Sequence, residues 1–581
     1  MAEALQPLGR DAPKVGFPAR GLLGWVPALT LATFLLPICV GLLGTWLPAF
    51  GYLPAIGGAA FSLEPWRALF ASPGFERMLA LTITSGFLST AIAFCLTIWF
   101  VAACHETRLF AALRRLMTPL LAVPHVAVAI GLAFLLAPSG FFFRLAAPWL
   151  TGSEIPPDLA ILPDPYGLAL ALGLVVKEVP FLLLITIGAL DQVGAKQRLA
   201  TARGLGYGPI AAWMKTVLPA VYPQIRLPVY AVLAYALSVV DMAMVLGPGT
   251  PPTLAVQILR WFNDPDLSMR FAASAGACLQ LGLVVLGIAL WHGFECIAIH
   301  QARAASFAGR RGGSGKVQAR AAGLAMAVVV ALGLGGIAVM AVWSVARRWR
   351  FPDAWPSAWS LETWSRHLDG VAISGWTTLG LGLAAAGLAV ALTLGCLESE
   401  QRVGRRPTHR ALWLLYLPLL VPQIAFLFGA QVLAFRLGWA GTWAAVVWSH
   451  LLFTLPYAFL ALADPYRALD ERLLRTARCL GASPARVFWR IKLPLLLRPV
   501  LISFAVAFSV SVAQYLPTLF IGAGRVATLT TEAVALSSGA DRRVLGVYTF
   551  LQAALPLAIF ALAIGLPGRL RPFGPAREAG K

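Results

Sequence analysis

A few polar side chains lie inside long apolar stretches of this sequence, and their types could do chemistry. Lys177 and Glu178 are adjacent in one stretch, Asp241 lies in the next, and Gln514 lies in a later one. Ionisable groups inside a membrane span are costly, and they usually face a solute pathway or a partner group. Neighbours in sequence point to different faces of a helix, so Lys177 and Glu178 do not simply pair with each other. Two interpretations stay open: these residues pair with other helices and lock the bundle, or they line a translocation path.

No residue pattern in the sequence indicates catalysis. There is no Ser-His-Asp order, HExxH motif or catalytic carboxylate pair, and the seven cysteines form no CxxC pair, so we expect no metal site and no disulfide framework. The nearest match to a phosphate-binding loop ends at Gly315-Lys316. It fails because Arg310 replaces its first glycine and Val317 its final Ser or Thr. The sequence predicts no catalytic residue, no cofactor and no metal, so the chain itself is not expected to be an enzyme.

The composition is that of a membrane protein. Of the 581 residues, 59% are hydrophobic and 12% are charged, whereas soluble proteins have about 25% charged residues. The apolar residues occur in runs of about 20, the length at which a helix crosses a bilayer. The net charge of +21 falls in short loops between these runs, so it indicates membrane topology and not a nucleic-acid partner. We expect an all-α polytopic membrane protein surrounded by lipid.

Twelve spans are predicted, in two sets of six. The first set is expected near 22–46, 79–104, 115–137, 166–190, 224–247 and 272–297, and the second near 321–344, 373–396, 411–434, 441–463, 497–520 and 544–567. Lys and Arg concentrate in alternate loops, which places those loops and both termini in the cytoplasm. The expected organisation is a cytoplasmic N-terminal segment (1–21), a first transmembrane unit (22–300), a cytoplasmic linker (301–320), a second transmembrane unit (321–568) and a cytoplasmic tail (569–581).

The two units are copies of each other. Thr201-Ala202-Arg203 matches Thr476-Ala477-Arg478, and the same spacing along the chain relates Gly206 to Gly481. Earlier in each unit, VPHVAVAIG at 123–131 matches VPQIAFLFG at 421–429. Because each unit has six spans, the repeats are parallel and related by an axis along the membrane normal.

The repeated stretch lies in the loop between the fourth and fifth spans. In the second copy, RTARCLGASPARVFWRIKLP, Gly481 can end a helix at positive φ, Ser483 can cap a second helix, and Pro484 suits its first position. The first copy, ATARGLGYGPIAAWMKTVLP, repeats this plan. A basic topology signal or a helix lying on the lipid interface would explain one copy, but two copies favour an amphipathic hairpin that docks into a partner protein. The residues expected in the two docking loops are Thr201, Ala202, Gly206, Pro209 and Trp213, and Thr476, Ala477, Gly481, Pro484 and Phe488.

These loops resemble the EAA loop of the permeases of binding-protein-dependent ABC importers. In that loop, Glu-Ala-Ala is followed after three residues by Gly and later by Leu-Pro. Ala200-Thr201-Ala202 and Arg475-Thr476-Ala477 match the pattern, although Ala200 and Arg475 stand where the family has Glu. The whole chain is similar to fused permeases of the thiamine and iron(III) importer group, and residues 246–281 are similar to permeases of the YnjC type.

The resemblance implies an inner-membrane permease of a bacterial cell, with one ATP-binding subunit docked on each loop, two in all. ATP hydrolysis would take place in that separate subunit, and an external solute-binding protein would deliver a small solute such as thiamine or iron(III). The missing Glu leaves the docking role in place but removes any ion pair that the Glu would make. The residues also leave an alternative, an ion-coupled secondary transporter with six plus six helices, in which Glu178 and Asp241 would carry the coupling ion.

Overall fold

The computed structural model describes residues 22–146, 149–152, 154–307, 309, 311–313, 315–403, 409–539 and 541–569. The predicted N-terminal segment (1–21) and the tail beyond residue 569 lie outside these residues. Within the described ranges the chain is helical apart from loops and one antiparallel pair of short strands, β1 (Ala346–Arg348) and β2 (Ala358–Trp359). The all-α prediction is confirmed.

Among the residues that the structure describes, the first unit contains thirteen α-helices and the second contains thirteen more. Those of the first unit are α1 (Val26–Ala49), α2 (Glu64–Phe70), α3 (Phe75–Cys104), α4 (Arg108–Ala122), α5 (His125–Leu136), α6 (Phe141–Ala146), α7 (Leu168–Gln192), α8 (Ala195–Gly204), α9 (Pro209–Ala212), α10 (Leu218–Ser238), α11 (Asp241–Leu246), α12 (Leu254–Phe262) and α13 (Met269–Phe307). Those of the second unit are α14 (Lys316–Val345), α15 (Glu362–Arg366), α16 (Leu368–Val403), α17 (His409–Leu420), α18 (Gln423–Arg436), α19 (Trp443–Arg467), α20 (Glu471–Cys479), α21 (Pro484–Val487), α22 (Leu493–Leu495), α23 (Leu497–Val512), α24 (Leu516–Gly522), α25 (Leu529–Leu536) and α26 (Arg542–Arg569).

The number of spans agrees with the prediction. In the described part of the chain, ten helices are long and apolar enough to cross a membrane. Two helix pairs bent by more than 40° raise the number to as many as twelve, if each pair is one broken span. The protein is therefore a polytopic membrane protein.

Two spans of the first unit differ from the continuous helices predicted at 115–137 and 224–247. The first breaks between α4 and α5, where Val123 is extended with φ −71° and ψ 129°, because a residue before proline avoids the helical region. The second breaks between α10 and α11, where Val239 has φ −63° and ψ 133°. The second unit has matching breaks, with a 103° bend before Gln423 and a gap between α23 and α24. Broken helices at membrane depth occur where the backbone is buried in protein or lines a cavity.

The repeat extends to single hydrogen bonds. In the first unit, the amide of Leu254 donates to Thr82 Oγ1 at 2.9 Å. In the second, the amide of Leu529 donates to Thr378 Oγ1, also at 2.9 Å. Leu254 and Leu529 have the same separation along the chain as the two loops. A threonine side chain thus accepts from the first amide of the equivalent helix in each unit, α12 in the first and α25 in the second.

The first helix of each unit packs against the other unit. Helix α1 lies along α18, and α14 lies along α5. Glycines form both crossings: Gly429 contacts Gly41 and Gly44, and a Cβ on Gly131 would lie 2.9 Å from Gly336 Cα. Small residues let membrane helices approach this closely. Each unit is therefore completed by a helix from its partner unit.

Candidate docking loops and translocation path

The first helix of each loop ends in the same turn. Gly206 has φ +81° and Gly481 has φ +80°, as the sequence predicts. The amide that follows each glycine donates to the carbonyl of Ala202 at 3.1 Å or of Ala477 at 3.0 Å. This is the Schellman arrangement, which satisfies the last carbonyls of a helix and needs a residue that tolerates positive φ. Thr201 and Thr476 are exposed on the preceding helical turn.

The second helix begins as expected and then widens. Ser483 Oγ accepts from the amide of Arg486 at 3.3 Å, and Pro484 is the first helical residue. Pro209 begins the equivalent helix of the first loop. Each of these helices has only four residues and continues as a five-residue π-helical turn, Trp213–Val217 or Phe488–Lys492. Such π-helical turns are rare in proteins, and those that do occur are often found at functional sites.

Both loops present exposed apolar side chains, as a protein-binding surface does. The exposed fractions are 62% for Leu205, 82% for Leu480 and 65% for Trp489. Trp213 was expected to contact the docked partner, but it is 1% exposed and belongs to the core of the first unit. Phe488 is partly buried and packs edge-on against Trp489. Trp213 therefore supports its loop from within.

The position of the missing Glu is occupied differently in the two loops. Arg475 donates to the Glu471 carboxylate at 2.9 Å, one helical turn earlier. Ala200 offers no charge to a partner. In the first loop, the amide of Gly208 donates to the carbonyl of Arg311 at 2.8 Å, so linker residues lie against that loop.

A buried polar cluster attaches the second loop to α16. Lys492 is 1% exposed, and its ammonium donates to the Glu398 carboxylate, to Gln401 Oε1 at 2.6 Å and to the Tyr466 hydroxyl at 3.4 Å. The Tyr466 hydroxyl also donates to Glu398. Arg402 Nε donates to the other oxygen of that carboxylate at 2.8 Å. Sequence reasoning treated Lys492 as one basic loop residue among several and missed Glu398. The available signal was that both positions depart from the internal repeat.

A second polar cluster lies at the helix breaks of the first unit. His125 is the first residue of α5 and Asp241 the first residue of α11. Glu178 Oε1 lies 3.4 Å from His125 Nε2, the His125 and Tyr235 rings are 4.7 Å apart, and the Tyr235 hydroxyl donates to Asp241 at 3.2 Å. The structure thus joins Glu178 and Asp241 through His125 and Tyr235. His125 is a polar residue of the third span, whereas Tyr235 has no signal in the sequence that distinguishes it from other tyrosines.

Lys177 points away from these carboxylates. Its ammonium donates to the carbonyls of Leu120 at 3.0 Å, Leu121 at 3.3 Å and Val123 at 2.6 Å. These carbonyls end α4 and have no helical donor, since the helix breaks there. Lys177 therefore holds the break between α4 and α5 in place.

The second unit faces the carboxylates with aromatic and neutral polar groups. Tyr457 lies within electrostatic range of Glu178, and Tyr515 within that of Asp241. Gln514, next to Tyr515, donates to the Val510 carbonyl at 3.0 Å, and its buried Oε1 has no partner among the described residues. His450 is held between the hydroxyls of Ser511 and Thr518, at 2.8 and 2.9 Å. In the described ranges, no group of three or more His, Cys, Asp or Glu residues is placed to hold a metal ion.

Comparison with known proteins gives a consistent answer. The family described as "Binding-protein-dependent transport system inner membrane component" matches residues 379–569. The inner membrane ABC transporter permease protein YnjC of Escherichia coli K12 is 34% identical over 521 residues, which cover 88% of this chain and 93% of YnjC. The molybdenum transport system permease protein ModB of Mycobacterium bovis is 30% identical over 29% of this chain and 68% of its own length. The putrescine transport system permease protein PotI of E. coli K12 is 26% identical over 30% of this chain and 65% of its own length. The chain is therefore a multi-pass inner-membrane protein that belongs to the family of ABC transporter permeases.

Proposed function

We propose that this chain supplies both halves of the translocation path of an ABC importer, with one ATP-binding subunit docked on each of its two loops. ATP hydrolysis takes place in those subunits, and a solute-binding protein delivers the solute to the outer face. Closure of the two ATP-binding subunits moves the loops, and the loops move the units between inward and outward access. The observation that carries this proposal is the identical turn at Gly206 and Gly481, which presents exposed apolar residues at the same place in both units.

The proposed path runs along the helix breaks between the units. Glu178, Asp241 and Gln514 line it, and Lys177 borders it by fixing the break between α4 and α5. Two carboxylates and two facing tyrosines favour a positively charged solute, since cations bind to carboxylates and to aromatic rings. Thiamine and iron(III) both satisfy this charge, as does putrescine, which is named for PotI. We do not propose the ion-coupled transporter, because the chain belongs to the ABC transporter permeases.

We also propose that both termini and the linker are cytoplasmic, with unit boundaries near residues 21, 300, 320 and 568. Single cysteines placed at Ala304 and Ile155, with the seven native cysteines replaced, would test this orientation. Ala304→Cys should react only after the membrane is opened, and Ile155→Cys should react in intact cells. Labelling of both positions from outside would contradict the orientation.

The docking role is tested by changing the turn glycines. A Cβ at Gly481 would meet no atom within 4 Å, so Gly481→Val strains the backbone at positive φ without a clash. Gly206→Val strains the first loop in the same way, and its Cβ would make only ordinary contact with the flexible Arg311 side chain, 3.5 Å away. Each single variant should retain part of the ATP-binding subunit in a pull-down, and the double variant should lose nearly all of it. Gly204→Ala is the matched control, because Gly204 is helical with open space around it and Cys479 occupies the equivalent position. Equal recovery with all variants would show that the loops are only topology signals.

A further inference from the structure

The two loops are held to their units by different chemistry. Lys492 ends the π-helical turn of the second loop, and Val217 ends the matching turn of the first. Glu398 corresponds to Ala102, because the spacing that relates Thr82 and Thr97 to Thr378 and Thr393 also relates these two positions. Val217 and Ala102 belong to one buried apolar cluster. An ion pair in the second unit therefore replaces apolar packing in the first.

The first loop does have an ion pair to the end of its second span, but that pair is exposed. Arg203 lies 3.5 Å from Glu106, and the two side chains are 47% and 43% exposed. Water and salt screen such a pair, and long side chains exchange it for solvent easily. The Lys492–Glu398 pair is 1% and 5% exposed at its side chains and has further hydrogen bonds to Tyr466 and Gln401. Its geometry is fixed from several directions.

The buried pair is not a requirement of this fold. The first unit forms the same hairpin and the same turn with Val217 and Ala102. The entry into the fifth span differs, because the first unit continues as one helix over Pro209–Ser238 and the second bends by 74° between Leu495 and Leu497. Well-packed apolar residues often replace a buried ion pair without loss of stability. Unlike apolar packing, an ion pair fixes the relative orientation of the two segments that it joins, because charged hydrogen-bonding groups accept few relative orientations.

We propose that Lys492 is a positioning residue, whose pair with Glu398 fixes the second docking loop rigidly to α16. Movement of the ATP-binding subunit on that loop is then transmitted to the second unit's helices through a rigid contact. The first loop is held by apolar packing and by the linker instead, without a buried ion pair, so the two ATP-binding sites are coupled unequally to the path. This inference rests on the proposed docking function of the loops.

The test uses the complete transporter, purified with its ATP-binding subunit and its solute-binding protein. Two quantities are measured: the ATP-binding subunits recovered per permease, and the ATP hydrolysed per bound subunit. Lys492→Met should leave recovery unchanged and lower the hydrolysis rate about fivefold or more, the scale of a lost coupling contact. Glu106→Gln, which breaks the exposed pair of the first unit, should change the rate less than about twofold. A normal rate with Lys492→Met would overturn the proposal.

A double variant separates positioning from folding. Glu398→Ala with Lys492→Val gives the second unit the residues of the first and removes both buried charges. Arg402 also loses its carboxylate partner, but its side chain is 28% exposed and can be solvated. It should accumulate and bind ATP-binding subunits as the wild type does, while its hydrolysis rate stays low. A wild-type rate in the double variant would show that the pair only satisfies a buried charge. Loss of assembly in step with rate would show that it acts in folding, and either result refutes positioning. Failure of the docking function itself would be seen separately, as full recovery of the ATP-binding subunit with Gly206→Val and Gly481→Val combined.

Discussion

The exchanged helices depend on glycine, so single methyl groups should weaken the contact between the units. A Cβ at Gly131 would lie 2.9 Å from the Cα and carbonyl carbon of Gly336, whereas ordinary contact begins at 3.4 Å. Helices α5 and α14 must therefore separate by the difference between these two distances. Only backbone atoms are involved, so no side chain can rotate away. Overpacking of this kind costs about 1–3 kcal/mol, partly offset by the gain of about 0.5–1 kcal/mol from placing Ala in a helix.

Four glycine-to-alanine variants should lose stability in an order set by how close each new Cβ would lie to its nearest neighbouring atom. Gly429→Ala should destabilise most, because its Cβ would overlap the carbonyl oxygen of Gly41. Gly131→Ala follows, and Gly336→Ala is milder, since its nearest contact is 3.1 Å. Gly335→Ala is the control, because its nearest neighbour, a leucine methyl group, is 3.8 Å away.

The assay is the free energy of unfolding of the purified protein in detergent, with melting temperature as a second measure. Because Gly335→Ala carries the helix gain without the clash, the difference between Gly131→Ala and Gly335→Ala should be about 1–3 kcal/mol. Equal stability of these two variants would refute the close-contact argument. So would an order in which Gly336→Ala is worse than Gly429→Ala.

Two further predictions concern charged groups. Asp241→Asn should lower transport while the complex still assembles. Lys177→Met should instead reduce the yield of folded protein, because three carbonyls lose their donor, and the two buried ones cost about 1–3 kcal/mol each. Transport assays beside quantification of the assembled complex would separate the two, and loss of assembly with Asp241→Asn would favour a purely structural role. On the predicted outer face, the hydrogen bonds from Arg543 hold the pKa of Asp541 below its usual value. This exposed pair should therefore stabilise the protein by less than about 1 kcal/mol at any pH above the ordinary aspartate pKa. The stabilisation should be lost as the pH falls through the lowered pKa of Asp541. The melting temperatures of wild type and Asp541→Asn should therefore differ at pH 7 and converge in acid, and a gap that persists at low pH would contradict this.

Local rules predicted the conformation of the two repeated loops well, because that conformation depends on nearby residues. Positive φ at Gly481 and the cap at Ser483 follow from the intrinsic preferences of those residues, and the repeat shows that the same plan occurs twice. The spans were equally accessible, since length and hydropathy alone determine which segments can cross a bilayer.

What escaped the sequence depends on contacts between distant segments. The composition of α1 and α14 does not predict which unit each helix packs against. Gly41 and Gly336 permit close packing only because Gly429 and Gly131 lie opposite them, and these partners are distant in the sequence. The partner of Lys492 lies 94 residues earlier in the chain, and its charge looks like any other basic loop residue. The breaks in the fifth spans were hidden because the residues on both sides are largely apolar, whereas Pro124 and Pro422 do mark the breaks in the third spans.

The exchange of first helices has a consequence for biosynthesis. Helix α14 fills a face of the first unit, yet the ribosome makes it only after the linker, so the first unit waits in the membrane with an open side along α5. Helix α1, which is made before α18, waits in turn for that helix. Two unlike units made as separate chains would each have to find the other and avoid their own copies. A single polypeptide ensures that one first unit pairs with one second unit. The second unit is also inserted beside the open face of the first, which its helix α14 then covers.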